Sequence, residues 1–114
     1  MKIYIVDIDG TICSQDIPKK GAPDYSIAKP IVDRIKKINN LYEKGNEVHY
    51  WTARGSVSGV DHFELTKKQL TEWGCKYTSL RVGDKPHYDV WIDDKAIWSE
   101  DYFNLSKFNK RDRL

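Results

Sequence analysis

Two pairs of carboxylates have the types and the spacing that could do chemistry in this chain. Asp7 and Asp9 follow an apolar run at 1–6, and the two-residue period of a strand would point both side chains the same way. Asp93 and Asp94 end another apolar run in the same manner. Four carboxylates at one edge of a sheet would repel each other without a cation. Because no paired His or Cys accompanies them, all-oxygen ligation favours a hard ion, Mg²⁺ before Ca²⁺.

Residues that suit a phosphoryl group accompany the two acidic pairs. Magnesium usually keeps waters and is shared with a phosphate, so the predicted metal site suggests phosphoryl transfer. Thr52 ends a further apolar run, where its hydroxyl and the following amides, first that of Ala53, could hold phosphate oxygens. Lys85 could neutralise charge on the phosphoryl group. Gly10 and Thr11 fit a sharp turn in which the backbone comes close to the ligand.

A scaffold must bring these residues together, and the apolar patterns indicate its class. Four short runs rich in apolar and β-branched residues predict strands: 1–6, 47–52, 77–82 and 88–92. Two stretches with apolar residues three and four apart predict helices: 30–45 and 59–73. The alternation predicts the α/β class, with a mostly parallel sheet covered on both faces and ligands at the carboxyl ends of its strands. The aperiodic stretch 11–28 predicts a loop or a small flap.

The composition is that of an ordinary globular domain, expected to span 1–114. With 39% hydrophobic and 32% charged residues, the chain is neither disordered nor a collagen or disulfide scaffold. Nineteen Lys and Arg against 17 Asp and Glu leave a net charge of +2, which argues against a strongly nucleic-acid-binding chain. Cys13 and Cys75 match no metal or redox spacing, so we expect reduced thiols. Because no apolar run approaches the roughly 18 residues needed to cross a bilayer, we expect a cytoplasmic protein with no membrane partner.

The order of these residues resembles the four motifs of the haloacid dehalogenase (HAD) superfamily of phosphatases. The resemblance is carried by Asp7-Ile8-Asp9-Gly10-Thr11, by Thr52 after an apolar run, by Lys85 and by Ile92-Asp93-Asp94. More narrowly, the stretches 50–54, 82–86 and 92–97 resemble small capless phosphatases associated with capsular-polysaccharide biosynthesis. The resemblance implies a Rossmann-like three-layer sandwich with a mostly parallel central sheet and no cap domain.

The resemblance also implies a mechanism. Asp7 would be the nucleophile that forms an aspartyl-phosphate. Asp9 would protonate the leaving oxygen and then take a proton from the water that hydrolyses the intermediate. The side chain of Asp7, the backbone carbonyl of Asp9, and Asp93 with Asp94 would hold Mg²⁺.

The remaining roles implied by the resemblance concern the phosphoryl group and the substrate. Thr52 and Lys85 would grip the phosphoryl group, although Pro86 follows the lysine where many family members open a helix. Arg54, two residues beyond Thr52, is a candidate substrate contact, and a surface arginine is the alternative. Thr11 is a second candidate substrate contact.

The predicted function is that of a Mg²⁺-dependent phosphomonoester hydrolase. The segments 12–29 and 53–75 are too short for a cap domain, so the predicted site is open. By resemblance, such a site takes a large substrate, or a small one enclosed by the flap or by a second copy in a homo-oligomer. The favoured substrate is a small phosphorylated sugar or polyol in surface-polysaccharide synthesis.

Two alternatives stay open. Phage-type end-healing enzymes have a similar motif layout, so a polynucleotide 3'-phosphatase is the second hypothesis, but the near-neutral charge disfavours a nucleic-acid partner. A phospho-receiver signalling domain also combines an aspartate, a Mg²⁺-binding acidic pair, a Thr and a Lys. A receiver places its acidic pair on the first strand, whereas here an acidic pair follows the Lys.

Overall fold

The computed structural model of the chain describes residues 1–15 and 23–104. Three strands and three helices lie in this part, and a 3₁₀ turn at Tyr25–Ile27 precedes the first helix. In chain order they are β1 (Ile3–Val6), α1 (Val32–Glu43), β2 (Glu47–Thr52), α2 (Phe63–Glu72), β3 (Ser79–Val82) and α3 (Ser99–Phe103).

The three strands form one parallel sheet in the order β1-β2-β3. Val6 lies beside Tyr50, and Thr52 lies beside Val82, so the carboxyl ends of the strands reach the same edge. A parallel pair needs a long crossover, and α1 and α2 supply the two crossovers. The predicted α/β class with a parallel, Rossmann-like sheet is confirmed.

The core lies on one face of this sheet. Along β2 every second residue is buried, namely Val48, Tyr50 and Thr52. Ile38 of α1 and Leu70 of α2 belong to the same buried cluster. Full burial of each such aliphatic side chain contributes roughly 1.5–3 kcal/mol. Both crossover helices therefore pack on the same face.

The opposite face of the sheet is exposed in the described residues. Ile3 and Ile5 of β1 are 63% and 62% exposed, and they share this face with Trp51 and Arg81. The expectation that helices cover both faces is not met in residues 1–15 and 23–104. A progressive strand order with crossovers of one hand carries successive helices to the same side, which explains the single covered face.

The prediction of a fourth strand at 88–92 is wrong. Residues 88–92 have no strand conformation, and Val90 and Ile92 are 74% and 93% exposed. Only the five residues 83–87 separate this stretch from β3, which is too few for a crossover to a parallel neighbour. Its aromatic residues make ring contacts instead: Trp91 lies edge-to-face against Tyr88 at 5.0 Å and against Trp51 at 6.2 Å between ring centroids.

Helix α3 packs against the sheet's covered side. Tyr102 and Phe103 contact the core cluster, and the Arg34 side chain of α1 pairs with Glu100. Trp98, just before α3, is 68% exposed. Outside the described residues lie the middle of the predicted flap, 16–22, and the basic stretch 107–113 with Leu105 and Phe108. None of the described helices is long and apolar enough to span a membrane.

Candidate functional site

A pocket of about 710 Å³ lies where the three strands end. Its lining includes Asp7 and Asp9 after β1, Thr52 and Arg54 at the end of β2, and Lys85 after β3. Residues from three separate stretches of the chain therefore meet as the parallel sheet predicts.

Asp7 and Lys85 form an ion pair inside the pocket. Lys85 Nζ lies 3.2 Å from Asp7 Oδ1, and the hydroxyl of Thr11 donates to Asp7 Oδ2 at 3.3 Å. The Asp7 side chain is 40% exposed, whereas that of Lys85 is 11% exposed. Tyr88 adds a cation–π contact, with its ring centroid 5.6 Å from the ammonium nitrogen. Lys85 thus reaches the site although Pro86 follows it.

Thr52 lies at the buried floor of the pocket. The side-chain oxygen of Thr52 accepts a hydrogen bond from the Arg54 amide at 3.2 Å, and its carbonyl accepts one from the Gly83 amide at 3.0 Å. A hydroxyl that accepts one hydrogen bond can still donate its own proton. Thr52 is therefore held in place with a donor that suits a phosphate oxygen. Ala53, whose amide is the other predicted phosphate donor, also lines the pocket.

Two glycines shape the loops of the site. Gly10 has a φ of +78°, and its amide donates to the Cys13 carbonyl at 2.9 Å, which confirms the predicted sharp turn. Gly55 has a φ of +86°, and a Cβ there would lie 2.1 Å from the Val60 carbonyl oxygen. Gly55 lines the pocket, whereas Gly10 does not. The loop after β2 can therefore close only with glycine at position 55.

Arg54 is buried, contrary to the surface alternative considered for it. Its side chain is fully shielded from solvent and holds Asp9 with two hydrogen bonds, Nε to Oδ2 at 2.9 Å and Nη2 to Oδ1 at 2.8 Å. Its Nη1 donates to Thr66 Oγ1 at 3.1 Å and to Gln69 Oε1 at 2.6 Å. The guanidinium carbon also lies 4.7 Å from the centroid of the Tyr25 ring. Arg54 thus makes four hydrogen bonds to other side chains in the described part of the protein.

The residues that hold Arg54 were missed in the sequence. Thr66 and Gln69 are three residues apart on α2, so they share one face of the helix, and both are buried. The helix prediction for this stretch depends on its apolar residues alone. A sequence feature that points to them is their position on α2: Thr66 lies four residues and Gln69 one residue before the buried Leu70. Gln69 also donates to the Tyr25 carbonyl at 2.7 Å, which ties α2 to the loop before α1.

Cys13 is a further neighbour of Asp9. Its thiol lies 3.5 Å from Asp9 Oδ1, as a weak donor. Burial, followed by the charge of Asp9, raises the pKa of the Cys13 thiol to about 12. The side chain is therefore a neutral thiol at neutral pH, in agreement with the expected reduced state.

The second acidic pair does not join the first. Asp93 and Asp94 are exposed and do not line the pocket. Asp93 accepts hydrogen bonds from the Lys95 amide at 2.9 Å and from Trp91 Nε1 at 3.2 Å, and these bonds lower the pKa of Asp93. Because 88–92 does not pair with the sheet, it does not carry the pair to the sheet edge.

The predicted magnesium site is consequently not assembled in the described residues. Within 1–15 and 23–104 no group of three or more His, Cys, Asp or Glu side chains could hold a metal ion. The described carboxylates that line the pocket after β1, Asp7 and Asp9, are already paired with Lys85 and Arg54. The side chains present here do not by themselves fit a metal ion.

The rim of the pocket is aromatic and polar. Tyr25 and His62 stand edge-to-face at 5.0 Å between ring centroids, and His87 and Tyr88 also line the pocket. Both histidines, His62 and His87, line the pocket. The rim therefore offers both ring faces and hydrogen-bonding groups to a ligand.

Comparison with known proteins identifies a fold but no function. No protein-family model matches the chain, and no curated protein is significantly similar to it. A crystal structure of a structural-genomics target protein from Vibrio cholerae is similar, with a TM-score of 0.74 and 24% sequence identity. The match covers 96% of this chain and 95% of that one. At this identity the likeness concerns the fold alone.

Proposed function

We propose that the chain is a phosphomonoester hydrolase in which Asp7 is the nucleophile. The observation that carries the proposal is the meeting of Asp7, Thr52 and Lys85 in one pocket, with the lysine ammonium 3.2 Å from the Asp7 carboxylate. The resemblance of the motif order to HAD phosphatases supports the same roles. The proposal includes the specific form of the fold, which is the capless three-layer form of that superfamily.

The proposed reaction has two steps. An Asp7 carboxylate oxygen attacks phosphorus while the bond to the leaving oxygen breaks, and Asp9, which must be protonated in the substrate complex, gives its proton to the leaving oxygen. Water then attacks the aspartyl-phosphate, Asp9 takes its proton and inorganic phosphate leaves. Lys85, which neutralises Asp7 before substrate binds, would share its charge with the phosphoryl oxygens, and Thr52 would donate to one of them.

The proposed substrate is a small phosphorylated sugar or polyol. A pocket of about 710 Å³ is of the size that encloses small ligands. Rim tyrosines and histidines suit the ring and the hydroxyl groups of a sugar. The role in surface-polysaccharide synthesis rests on the resemblance. The proposed cytoplasmic location rests on the sequence, in which no apolar run approaches the length that crosses a bilayer.

Magnesium dependence is part of the proposal. It rests on the residue types of Asp7, Asp93 and Asp94 in the sequence, because Mg²⁺ binds through one or two carboxylates together with the substrate phosphate. It does not rest on the arrangement of the described side chains, which does not fit the ion. Since the acidic pair lies outside the pocket, the steps above use only the protein's own side chains.

Phosphate release tests the proposal. The purified chain is given sugar phosphates, polyol phosphates, p-nitrophenyl phosphate and a 3'-phosphoryl oligonucleotide, each with Mg²⁺ and with EDTA. We expect turnover of the small esters with Mg²⁺ and its loss with EDTA. Asp7→Asn should lower kcat at least about 10³-fold, because a neutral amide cannot attack phosphorus.

Asp33→Asn is the matched control, because Asp33 is an exposed carboxylate in the first turn of α1. It should retain wild-type turnover. Absence of hydrolysis with every ester, or an Asp7→Asn variant as active as the wild type, would refute the proposal. Preference for the oligonucleotide would favour the 3'-phosphatase alternative, and a stable phosphoryl-aspartate without turnover would favour the receiver alternative.

A further inference from the structure

The Asp9 carboxylate is paired with the Arg54 guanidinium, which also contacts α2 and the Tyr25 ring. Arg54 turns its Nε and Nη2 edge to Asp9, at 2.9 and 2.8 Å, and its Nη1 to Thr66 and Gln69 on α2. The Tyr25 ring covers the guanidinium at 4.7 Å. Because Thr66 and Gln69 fix the orientation of the planar guanidinium, its two hydrogen bonds to Asp9 fix the plane of the carboxylate.

We infer that Arg54 is a positioning residue that orients Asp9 for proton transfer to the leaving oxygen. The inference rests on the proposed function, in which Asp9 is the general acid and base. Arg54 itself would touch no reacting atom, since its side chain is 0% exposed and its hydrogen bonds go to Asp9, Thr66 and Gln69. This role differs from the substrate contact considered for it in the sequence.

The hydrogen bonds of Asp9 indicate which oxygen moves the proton. Each carboxylate oxygen has two acceptor sites. In the described part of the chain, Oδ2 accepts from Arg54 Nε, whereas Oδ1 accepts from Arg54 Nη2 and lies 3.5 Å from the Cys13 sulfur. The thiol proton is shared between Oδ1 and the Ile8 carbonyl, which lies 3.6 Å from the sulfur. Oδ2 is therefore the oxygen with room for a proton and for a hydrogen bond to the substrate.

The proton matters most when the leaving oxygen is strongly basic. As the Asp7 oxygen bonds to phosphorus, an alkyl ester expels an alkoxide that needs the proton from Asp9 Oδ2. A p-nitrophenyl ester expels a stable phenolate that needs none. Loss of orientation at Asp9 should therefore slow alkyl phosphates far more than aryl phosphates, whereas a general loss of structure would slow both alike.

The test compares Arg54→Gln and Arg54→Lys with the wild type on glycerol phosphate and on p-nitrophenyl phosphate. For Arg54→Gln we expect kcat on glycerol phosphate to fall about 10²–10⁴-fold, with less than about a tenfold fall on p-nitrophenyl phosphate and little change in KM. Arg54→Lys should fail to restore the alkyl activity, because an ammonium cannot bond both carboxylate oxygens as the fork does. Asp9→Asn should show the same selectivity, and adding Arg54→Gln to it should cause little further loss.

Gln69→Met keeps the inference testable if the arginine variants do not fold. It removes the acceptor of Arg54 Nη1 while retaining side-chain length, and we expect a smaller loss with the same preference for the alkyl ester. Arg81→Gln is the matched control, since it removes another arginine–aspartate pair on the exposed face. It should leave the ratio of the two activities unchanged.

The outcomes separate the two proposals. A wild-type chain that hydrolyses neither ester refutes the proposed function and this inference with it. An active wild type whose Arg54→Gln and Gln69→Met variants lose both activities in equal proportion refutes the inference alone, and leaves Asp7 and the hydrolase proposal standing.

Discussion

Two arginines of this chain bind an aspartate with two hydrogen bonds each, but they do so in different surroundings. Arg54 bonds both oxygens of Asp9, and its side chain is 0% exposed. Arg81 bonds a single oxygen of Asp84 through Nε and Nη2, at 2.9 and 2.6 Å, and its side chain is 58% exposed.

The aromatic contacts of the two arginines are alike. Arg54 lies 4.7 Å from the Tyr25 ring centroid and Arg81 lies 4.6 Å from that of Trp51. The two ion pairs differ in their exposure to water. An exposed ion pair contributes about 0–1 kcal/mol, whereas removing one partner of a buried pair costs about 3–5 kcal/mol because a charge is left without a partner. Local geometry alone therefore does not tell which pair the fold depends on.

The largest expected effect comes from breaking the buried pair. Arg54→Ala should lower the free energy of unfolding by about 3–5 kcal/mol, because Asp9 stays in the protein without its cation. Urea unfolding followed by circular dichroism measures this. Arg54→Ala combined with Asp9→Ala should be less destabilised than the sum of the single variants, since the orphaned charge is gone. A loss below about 1 kcal/mol for the single variant would show that water reaches the pair.

An intermediate effect is expected from alkaline pH through Cys13, beside the buried pair. Since its folded pKa of about 12 lies above the unfolded value near 9, Cys13 contributes stability that is complete below pH 9 and is lost as pH rises toward 12. At pH 10.5 this loss is on the order of 2 kcal/mol. Cys13→Ala should therefore lose less stability than the wild type between pH 8 and 10.5.

The control for this pH dependence is Cys75→Ala. Burial raises the pKa of Cys75 to about 11, so its removal should flatten the pH dependence less than removal of Cys13. Tyr50, whose pKa is raised by burial and then by Cys75, contributes equally to the wild type and to Cys13→Ala. Equal slopes for the wild type and Cys13→Ala would contradict the prediction.

The smallest expected effect comes from breaking the exposed pair. Arg81→Ala should change the free energy of unfolding by less than about 1 kcal/mol, and the change should shrink in high salt. The hydrogen bond from Arg81 lowers the pKa of Asp84, so an NMR titration should show that pKa rising toward its ordinary value in the variant. An unchanged Asp84 titration would mean that the pair does not persist in solution.

The strands and the strand-end residues could be predicted because they depend on local pattern. The strand β2 occupies its predicted bounds, 47–52, since alternate burial and β-branched residues act within the strand itself. Asp7, Thr52 and Lys85 could be placed together because parallel strands end at one edge. The prediction of a strand at 88–92 was wrong because it also depended on local pattern. Periodicity cannot distinguish a strand from a loop whose aromatic residues make ring contacts.

The surroundings of Arg54 could not be predicted because they depend on long-range packing. Its partners come from the turn after β1, from α2 and from the 3₁₀ turn before α1, and no spacing in the chain relates them. Asp9 lies forty-five positions before Arg54 in the chain. At that distance the sequence does not show whether an arginine is buried with a partner or lies at the surface.

The perpendicular contact between Trp51 and Trp91 provides an intrinsic optical probe. The two indoles lie 6.2 Å apart at an interplanar angle of 84°, one on β2 and one in the segment that follows Lys85. Coupled indoles at this separation produce a near-ultraviolet dichroism that depends on their mutual angle. Any movement of the lysine-bearing segment would therefore change a spectrum that needs no added label.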